Sequence, residues 1–235
     1  MKSYKRILLK LSGEALMGDQ NFGIEARMID HFGDEIKSVI DAGYEVAVVI
    51  GGGNIFRGLQ SGNLGIDKVQ GDYMGMLATV INGMALQGAL EGRGLNTRLM
   101  SAVNIEQVCE PYIKRRAVRH LEKGRVVILA AGTGNPFFTT DSAAALRAIE
   151  VGADVLLKGT NVDGIYTADP KIDENAVKLE NVSYKEAIHK ELKVMDQTSF
   201  TLCRENKLPV VVFSIKEKGN ILRILQGEKI GTLVK

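Results

Sequence analysis

The chain has 235 residues, 45% of them hydrophobic and 25% charged, and 30 Lys and Arg against 28 Asp and Glu leave a net charge of +2. This apolar share excludes an intrinsically disordered protein, and the near-balance of charge argues against a dedicated nucleic-acid coat or a polybasic membrane binder. Two distant cysteines, Cys109 and Cys203, predict neither a disulfide framework nor a zinc site. Since no signal-peptide pattern and no apolar run of membrane-spanning length occurs, the sequence predicts a soluble, cytoplasmic protein.

Short apolar runs alternate along the chain with segments of helical period. The runs are rich in Val, Ile and Leu; in chain order they are Arg6–Leu11, Glu45–Ile50, the weaker Arg98–Ala102, Arg125–Ala131, Asp154–Leu157 and Pro209–Phe213. Near-continuous apolar runs of this length are typical of strands buried on both faces of a parallel sheet.

Apolar residues at helical spacing predict the helices between these strands. They are Ile24–Ala42, Gly71–Leu90, Pro111–Lys123, Asp141–Glu150, Tyr184–Lys190, Met195–Lys207 and Asn220–Leu225. Strand–helix alternation predicts a doubly wound α/β sandwich that binds ligands at the carboxyl ends of its strands. Because no linker or low-complexity stretch divides the chain, we expect a single domain over residues 1–235.

The helix predicted over Gly71–Leu90 is apolar around most of its circumference. Its apolar residues spread over much of that circumference; they are Met74, Leu77, Val80, Ile81, Met84 and Leu86. A helix of this kind is buried or lies in an interface, so we expect a subunit contact along part of it.

Glycine-containing turns follow three of the predicted strands. They are Ser12-Gly13, Gly51–Asn54 and Gly132–Asn135. Glycine lets the backbone approach a ligand closely, and exposed N–H groups and helix N-termini attract anions. One such turn is weak evidence, because a tight turn needs a glycine anyway, but three at one sheet edge favour a phosphate site.

Other well-known motifs are absent. The glycine spacing Gly53–Gly58 lacks the P-loop lysine, because Leu59 stands there, and Phe137 occupies the third glycine position of GxGxxG. DFG, HRD, HExxH and GxSxG do not occur. If the protein handles nucleotides, it uses a different phosphate cradle.

Two cations and two carboxylates lie beside the glycine turns. Lys10 ends the first strand and Arg57 follows the second turn, where either could be a solvated edge charge or neutralise a transferring phosphoryl group. Asp72 and Asp141 each begin a helical pattern, so stabilisation of the helix dipole is the alternative to a role in the site.

Several segments together resemble the bacterial uridylate (UMP) kinases of the amino-acid-kinase superfamily. They are Tyr4–Leu16, Val49–Arg57, Gly71–Thr79, Gly132–Asp141 (GTGNPFFTTD), Val162–Pro170 and Glu191–Asp196. The match runs from end to end of the chain. It implies a three-layer αβα sandwich around a mainly parallel sheet, with the UMP site and subunit contacts mainly in the N-terminal part and the ATP site mainly in the C-terminal part.

The resemblance also implies an activity and a set of site residues. The activity is transfer of the γ-phosphoryl group of ATP to UMP, with Mg²⁺ held through ATP rather than by direct protein ligands. The implied ATP residues are Lys10, Leu11, Ser12, Gly13, Gly53, Arg57, Thr160, Asn161, Tyr166 and Asp169. The implied UMP residues are Gly52, Asp72, Thr133, Gly134, Asn135, Pro136, Phe137, Phe138, Thr139 and Thr140.

The implied catalytic residues are Lys10, Asp141 and Asp196, with Asp141 organising metal and phosphates and Asp196 orienting Lys10. The acceptor phosphate is already ionised at neutral pH, so positioning and charge neutralisation suffice without a general base. The family further implies a homohexamer, activated by GTP and inhibited by UTP. The residues matching GTP control are Gly18, Asp19, Gln20, Asn21, Phe22, Gly23, Arg98 and Arg125, although a structural salt bridge remains open for Arg125.

Two alternatives stay open at this point. One is an acyl-phosphate-forming amino-acid kinase on the same fold, against which the TGNPFFTTD turn favours a nucleotide acceptor. The other is a non-catalytic nucleotide-binding storage or regulatory protein, against which the presence of Lys10, Asp141 and Asp196 argues.

Overall fold

A computed structural model of the chain describes residues 4–57, 65–168, 172–173, 175–190, 192 and 194–235. Its elements, in chain order, are β1 (Arg6–Leu11), α1 (Gly13–Met17), α2 (Ala26–Asp41), β2 (Glu45–Ile50), α3 (Lys68–Glu91), β3 (Thr97–Ser101), β4 (Glu110–Pro111), α4 (Lys114–Glu122), β5 (Val126–Ala130), α5 (Thr140–Val151), β6 (Val155–Thr160), β7 (Ile165–Tyr166), β8 (Lys178–Leu179), β9 (Asn181–Val182), α6 (Tyr184–His189), α7 (Gln197–Glu205), β10 (Val210–Ser214), α8 (Asn220–Leu225) and β11 (Thr232–Val234).

Within the described residues, nine strands form one sheet in the order β4–β3–β5–β2–β1–β6–β10–β11–β9, and β7 pairs with β8 separately. Neighbouring strands of the large sheet run parallel, apart from the antiparallel pair β10 and β11. The predicted α/β class with a mainly parallel sheet is therefore confirmed.

Helices cover both faces of the sheet, because its central strands are apolar on both sides. Ile7 and Leu9 of β1 pack in one core layer with α2, α3 and α8, and Leu8 packs in the other with α4, α5 and α7. This alternation is the two-residue period of a strand. The three-layer αβα arrangement follows directly from it.

Most element bounds differ from the predictions by one to three residues. The helix predicted over Pro111–Lys123 begins at Lys114, because Pro111 pairs with Ser101 in the short edge strand β4, where a residue without an N–H is tolerated. The strand predicted over Asp154–Leu157 continues to Thr160 and so includes Lys158. The turn after β1 contains a short helix, α1, whose N-cap is Ser12.

Helix α3 has an apolar side in the core and a second one at the surface. Met76, Val80, Leu86 and Leu90 are buried. An adjoining side carries a line of apolar residues at spacings of four and three, each 40–50% exposed; we call it the α3 stripe, and it consists of Val69, Tyr73, Leu77, Ile81 and Met84. Packing in the core therefore accounts for only part of the apolar surface that the sequence predicts for this helix.

No helix in the described parts of the chain has the length and apolar character needed to cross a membrane.

Candidate active site

Two lysines on neighbouring parallel strands project toward the start of α5. Lys10 of β1 stands opposite Lys158 of β6 in the sheet register. Leu8 and Leu156, two residues earlier in each strand, pack in the α5 layer, so the strand alternation turns both lysines to that same face. Asp141 lies in the first turn of α5, where the helix dipole favours a negative charge.

The three side chains form a compact ionic cluster. Lys10 Nζ lies 2.9 Å from Asp141 Oδ1, and Lys158 Nζ lies 2.6 Å from Asp141 Oδ2. No more than 17% of any of the three side chains is exposed. Lys158 also donates to the carbonyl of Val194. Lys10 contacts Oδ1 by charge without hydrogen-bond alignment, so this buried oxygen has no aligned donor among the described residues.

In this cluster, burial and contact with an oppositely charged group shift pKa values in opposite directions. Burial alone raises the pKa of Asp141, but the ammonium groups of Lys10 and Lys158 outweigh it and hold that pKa below its usual value. Burial lowers the pKa of Lys158, and the nearby Lys10 lowers it further, while Asp141 opposes both effects. The carboxylate thus lies between two lysine side chains and offsets the repulsion between them in a nearly dry position.

Asp196 has other partners than the expected Lys10. Its carboxylate accepts hydrogen bonds from the hydroxyls of Thr139, Ser142 (2.9 Å) and Ser199 (2.7 Å), and it caps α7 through the N–H of Ser199. The carboxylate in contact with Lys10 is Asp141, and the orienting of Lys10 by Asp196 stays a prediction. Asp196 ties the start of α7 to the start of α5, which carries Asp141.

The pKa of Asp196 also reflects these partners. Burial raises it, but the hydroxyl and N–H donors of Thr139, Ser199 and Ser142 outweigh burial and lower it. The carboxylate is therefore held ionised by hydrogen bonds rather than by a cation in contact.

The turns after β1 and β2 touch each other through their glycines. A Cβ on Gly13 would lie 2.7 Å from the carbonyl oxygen of Gly51, closer than real side chains come. Below them, Asn82 Nδ2 donates to Gly51 O at 2.7 Å, and Asn82 and Asn54 exchange amide hydrogen bonds of 2.7 and 3.0 Å. Both asparagines are almost fully buried. A fixed polar pair thus sets the shape of the predicted phosphate cradle.

The remaining residues of the predicted cradle lie around these turns. Ser12 caps α1, and the side chain of Leu11 is fully buried, so that only its backbone can face a ligand. Arg57 donates to Gly53 O and pairs with Glu14 at 2.8 Å, with about half of each charged side chain exposed. This exposed ion pair is weak enough to yield the guanidinium to an anionic ligand.

A cavity of about 290 Å³ lies between α3 and the turn after β5. Of the ten residues predicted for UMP, it is lined by Gly52, Asp72, Thr133, Asn135, Phe138, Thr139 and Thr140, and Gly53 and Arg57 of the ATP set reach it from the other side. Gly134, Pro136 and Phe137 belong to the same turn outside this lining. The volume is at the lower end of small-molecule sites.

Asp72 connects α3 to that turn. Its Oδ2 accepts the backbone N–H of Phe137 at 2.7 Å, and Lys68 lies 3.1 Å from the same oxygen. The Lys68 ammonium also sits 5.4 Å from the centre of the Phe137 ring. A carboxylate that bridges two walls of the cavity is well placed to meet ribose hydroxyls there.

The residues predicted for the adenosine part of ATP lie at the carboxyl end of β6 and beyond. Thr160 closes a local turn by donating to Val162 O at 2.7 Å, and Tyr166 donates to Asp163 Oδ1 at 2.7 Å. Asn161 lines a larger cavity of about 820 Å³ beside α1 and α2, away from the lysine cluster. Asp169 lies outside the described residues.

The residues predicted for GTP control divide into two groups within one chain. The loop Gly18–Gly23 is bound to the cradle through Asn54, which accepts the Gly23 N–H at 2.7 Å and donates to Gly23 O at 2.8 Å. Arg98 and Arg125 lie toward the amino ends of β3 and β5, at the other end of the sheet. The structure of one chain does not bring these two groups together.

Arg98 and Arg125 share a small polar cluster. Arg98 pairs with Glu110 at 3.3 Å, and Arg125 contacts His120 Nδ1 at 2.9 Å. His120 Nε2 in turn lies 3.2 Å from Glu110. Among the described residues Arg125 therefore makes a structural contact with a histidine and no salt bridge with a carboxylate.

Several residues that build this site were not predicted from the sequence; they are Lys158, Asn82, Thr79 and Arg147, while Asn54 was predicted only as the end of a glycine turn. Two of them left a signal. Lys158 directly follows a predicted buried strand, and Asn82 is a polar residue inside an otherwise apolar helix. Either position calls for a partner, because a buried polar group without one is costly.

The described residues contain no group of three or more His, Cys, Asp or Glu arranged to hold a metal. Mg²⁺ is commonly bound by one or two carboxylates together with substrate phosphates. Asp141 fits a place beside such an ion, because its carboxylate is nearly buried in the cluster and one of its oxygens has no aligned donor among the described residues.

Comparison with known proteins agrees with this architecture. A sequence model of the amino acid kinase family matches residues 5–214. The chain is similar to the crystal structure of a UMP kinase from Bacillus anthracis, with a TM-score of 0.97 and 41% identity over 100% of this chain and 97% of that one. It is also similar to a UMP kinase from Ureaplasma parvum (TM-score 0.93, 38% identity, 99% of both chains) and to a uridylate kinase from Archaeoglobus fulgidus (TM-score 0.75, 30% identity, 97% of this chain and 99% of that one).

Proposed function

The chain belongs to the amino acid kinase family, and on that premise we propose that it is an enzyme that transfers the γ-phosphoryl group of ATP to UMP, giving UDP and ADP. The observation that carries the proposal is the cluster of Lys10, Asp141 and Lys158 at a junction of two elements of the site. Lys10 lies two residues before the Ser12-Gly13 turn, and Asp141 directly follows Thr140, which lines the cavity of about 290 Å³. Two fixed ammonium groups at such a junction suit a reaction in which charge spreads over phosphoryl oxygens.

The division of labour follows from the positions of the residues. The turns at Ser12-Gly13 and Gly53, with Arg57, hold the ATP phosphates, while Asp72 and the turn of Thr133–Thr140 hold UMP. Lys10 and Lys158 neutralise the transferring group, and Asp141 aligns both lysines through its two oxygens. No residue has to remove a proton, because the attacking phosphate oxygen of UMP is ionised at neutral pH.

Mg²⁺ enters this scheme with ATP. When bound, it supplies positive charge to the phosphate oxygens. Asp141 is the residue that would organise the ion and the phosphates on the protein side, while ATP would hold the ion directly.

The direct test is UDP formation from UMP and ATP–Mg²⁺, followed by chromatography of the nucleotides. A panel of UMP, CMP, glutamate and aspartate distinguishes a nucleotide kinase from an amino-acid kinase on the same fold. UDP from UMP, with no ADP release on glutamate or aspartate, is the expected result. ATP binding without ADP release on any acceptor would favour the non-catalytic alternative, which the comparisons do not support.

Regulation and cellular setting form the finer part of the proposal. GTP activates the enzyme and UTP inhibits it. The loop Gly18–Gly23, together with Arg98 and Arg125, serves the response to GTP. The enzyme supplies pyrimidine nucleotides in the cytoplasm. Assaying UDP formation at fixed ATP and UMP with added GTP or UTP tests the effectors. A rate that does not change with GTP would contradict the role given to Arg98 and Arg125.

The assembly completes the proposal. The chain forms a single domain that assembles into a homohexamer, in which the α3 stripe is covered by a second copy of the chain. The exposed apolar line along α3 supports this, because a contiguous apolar patch on a monomer marks an interaction site. Sedimentation velocity over a concentration series tests it, and a monomer at every concentration would contradict it.

A further inference from the structure

The turn that lines the proposed UMP cavity begins in an unusual backbone conformation. Ala131 and Gly132, directly after β5, both have positive φ angles, 59° and 58°. Glycine accepts this region readily, but alanine does so at a cost, because its Cβ crowds the backbone. Two consecutive left-handed residues reverse the chain sharply, so their geometry decides where Thr133–Thr140 lie.

Two side chains hold these residues from below the turn. Thr79 of α3 accepts the N–H of Ala131 at 2.7 Å and donates its own hydroxyl to Met76 O. Arg147 of α5 donates from Nη2 to the carbonyl oxygen of Gly132 at 3.2 Å. Each left-handed residue thus has one side-chain partner, from the helices on opposite sides of the sheet.

Contacts with two other side chains fix the position of Arg147. It is 6% exposed, and burying a guanidinium is costly unless it is paired. Glu150 accepts from its Nη1 at 2.6 Å, and its guanidinium carbon lies 4.0 Å from the centre of the Tyr112 ring. Tyr112 closes the group by donating its hydroxyl to the same oxygen of Glu150 at 2.7 Å.

An exposed ion pair of the same sequence spacing provides a comparison for the pair of Arg147 and Glu150. In α4, Arg119 and Glu122 make an i,i+3 pair at 3.2 Å with both side chains largely exposed. The Arg147 pair differs in being buried, braced by an aromatic ring and aimed at one backbone carbonyl. Its distinguishing contact is the one with Gly132.

We infer that Arg147 is a positioning residue for UMP: by holding the Gly132 carbonyl, with Glu150 and Tyr112 as its support, it sets the shape of the turn that receives the acceptor nucleotide. The inference rests on the proposed function for the identity of the acceptor. Arg147 contacts the turn from beneath and reaches UMP only through it. The ATP cradle at β1 and β2 does not depend on this contact.

Steady-state kinetics of Arg147→Met, with UMP and ATP varied separately, is the first test. Methionine keeps much of the side-chain bulk and removes the donors. We expect the KM for UMP to rise about tenfold, because a charged hydrogen bond that orders the turn is lost, while kcat changes less than about threefold. The KM for ATP stays within about twofold, and Arg147→Lys, which keeps a charge and a donor, recovers part of the loss. Arg119→Met, which removes an arginine from a similarly spaced but exposed pair, leaves both KM values unchanged.

Amide hydrogen exchange of the free protein, read by mass spectrometry, is the second test and is independent of activity. Arg147→Met should exchange faster in peptides covering Gly132–Thr140, with peptides of β1 and β2 unchanged. Unchanged exchange in the turn together with an unchanged KM for UMP would overturn the inference, as would an equal rise in the KM for ATP and UMP.

Two complications are distinguishable. If Arg147→Met does not fold, Glu150→Gln takes its place, since it keeps the shape and removes the charge that fixes the guanidinium; a UMP-specific KM shift of about threefold is expected, and none would overturn the inference. If the wild-type protein forms no UDP from UMP, the proposed function fails, and the exchange experiment alone then decides whether Arg147 holds the turn.

Discussion

Replacing Asp141 by Asn removes the negative charge that separates two nearly buried ammonium groups. At 2.9 and 2.6 Å, each Lys–Asp attraction is about 6 kcal/mol gross for an effective dielectric constant of about 20. Most of that attraction is offset by the desolvation of the three groups, and removing one partner of a buried pair costs about 3–5 kcal/mol in measured cases. Since the cluster keeps some exposure, we expect the Asp141→Asn protein to lose about 3 kcal/mol of unfolding free energy.

Thermal melting followed by circular dichroism measures this loss. For a chain of this length, about 3 kcal/mol lowers the Tm by about 6–12 °C. Asp41→Asn is the matched control, because Asp41 and Lys37 form an exposed i,i+4 pair at 2.7 Å. That pair contributes at most about 0.5 kcal/mol, so the control should shift the Tm by no more than about 2 °C. Equal shifts in the two variants would refute the reasoning.

The pH dependence provides a second check with a defined sign. The pKa of Lys158 is lowered in the folded protein, so the unfolded chain binds more protons between the folded and unfolded pKa values, and stability rises with pH in that window. Loss of Asp141 removes the group that opposes this lowering. The Tm deficit of Asp141→Asn should therefore shrink as the pH rises from 7 toward 9.5, and a deficit independent of pH would contradict the cluster's electrostatics.

The other predictions concern single parts of the site and the assembly. The Lys158→Met protein should fold, because Lys10 still pairs with Asp141. Its kcat for UDP formation should fall by a factor of about 10²–10³, the usual cost of removing one positioned charged donor. A normal kcat would show that Lys158 takes no part in the reaction. Asp196→Asn should lower the Tm by about 2–6 °C in a thermal melt, since it weakens acceptors for three hydroxyls while keeping a cap for α7, and an unchanged Tm would contradict the link between α5 and α7. A double replacement of Leu77 and Ile81 by Glu should give a smaller species than wild type in sedimentation velocity, and an unchanged sedimentation coefficient would show that the α3 stripe is not an interface.

The sheet was predictable because its longer strands can be recognised from the local sequence alone. Runs such as Glu45–Ile50 are apolar on both faces, and the structure gives that strand the same bounds as the prediction. The short strands β4, β7, β8 and β9 have two residues each and carry no periodic signal, so they depend on partners distant in the chain. The same holds for Arg147, whose pairing with Gly132 and Tyr112 appears only when α5 is packed.

Polar pairs inside the fold are a second class that local patterns miss. Asn54 reads from sequence as a turn residue and Asn82 as an interruption of an apolar helix, and neither position predicts the other. In the folded chain they satisfy each other's amides and also bind the backbone of Gly51 and Gly23. Buried polar groups need partners, and the partner here comes from a different element.

Lys158 was not predicted as part of the site because the strand prediction ended just before this charged residue. The prediction ended at Leu157, but one more pleat places Lys158 on the face of Leu156, as Lys10 lies on the face of Leu8. The parallel register then sets the two lysines side by side, facing Asp141. A slip of one residue in β6 would turn Lys158 into the layer of α2 and α8, where burial would oppose its charge without Asp141 to compensate. The register that buries the apolar residues of β6 is therefore the same one that assembles the site, which is why this charge is tolerated at the end of a central strand.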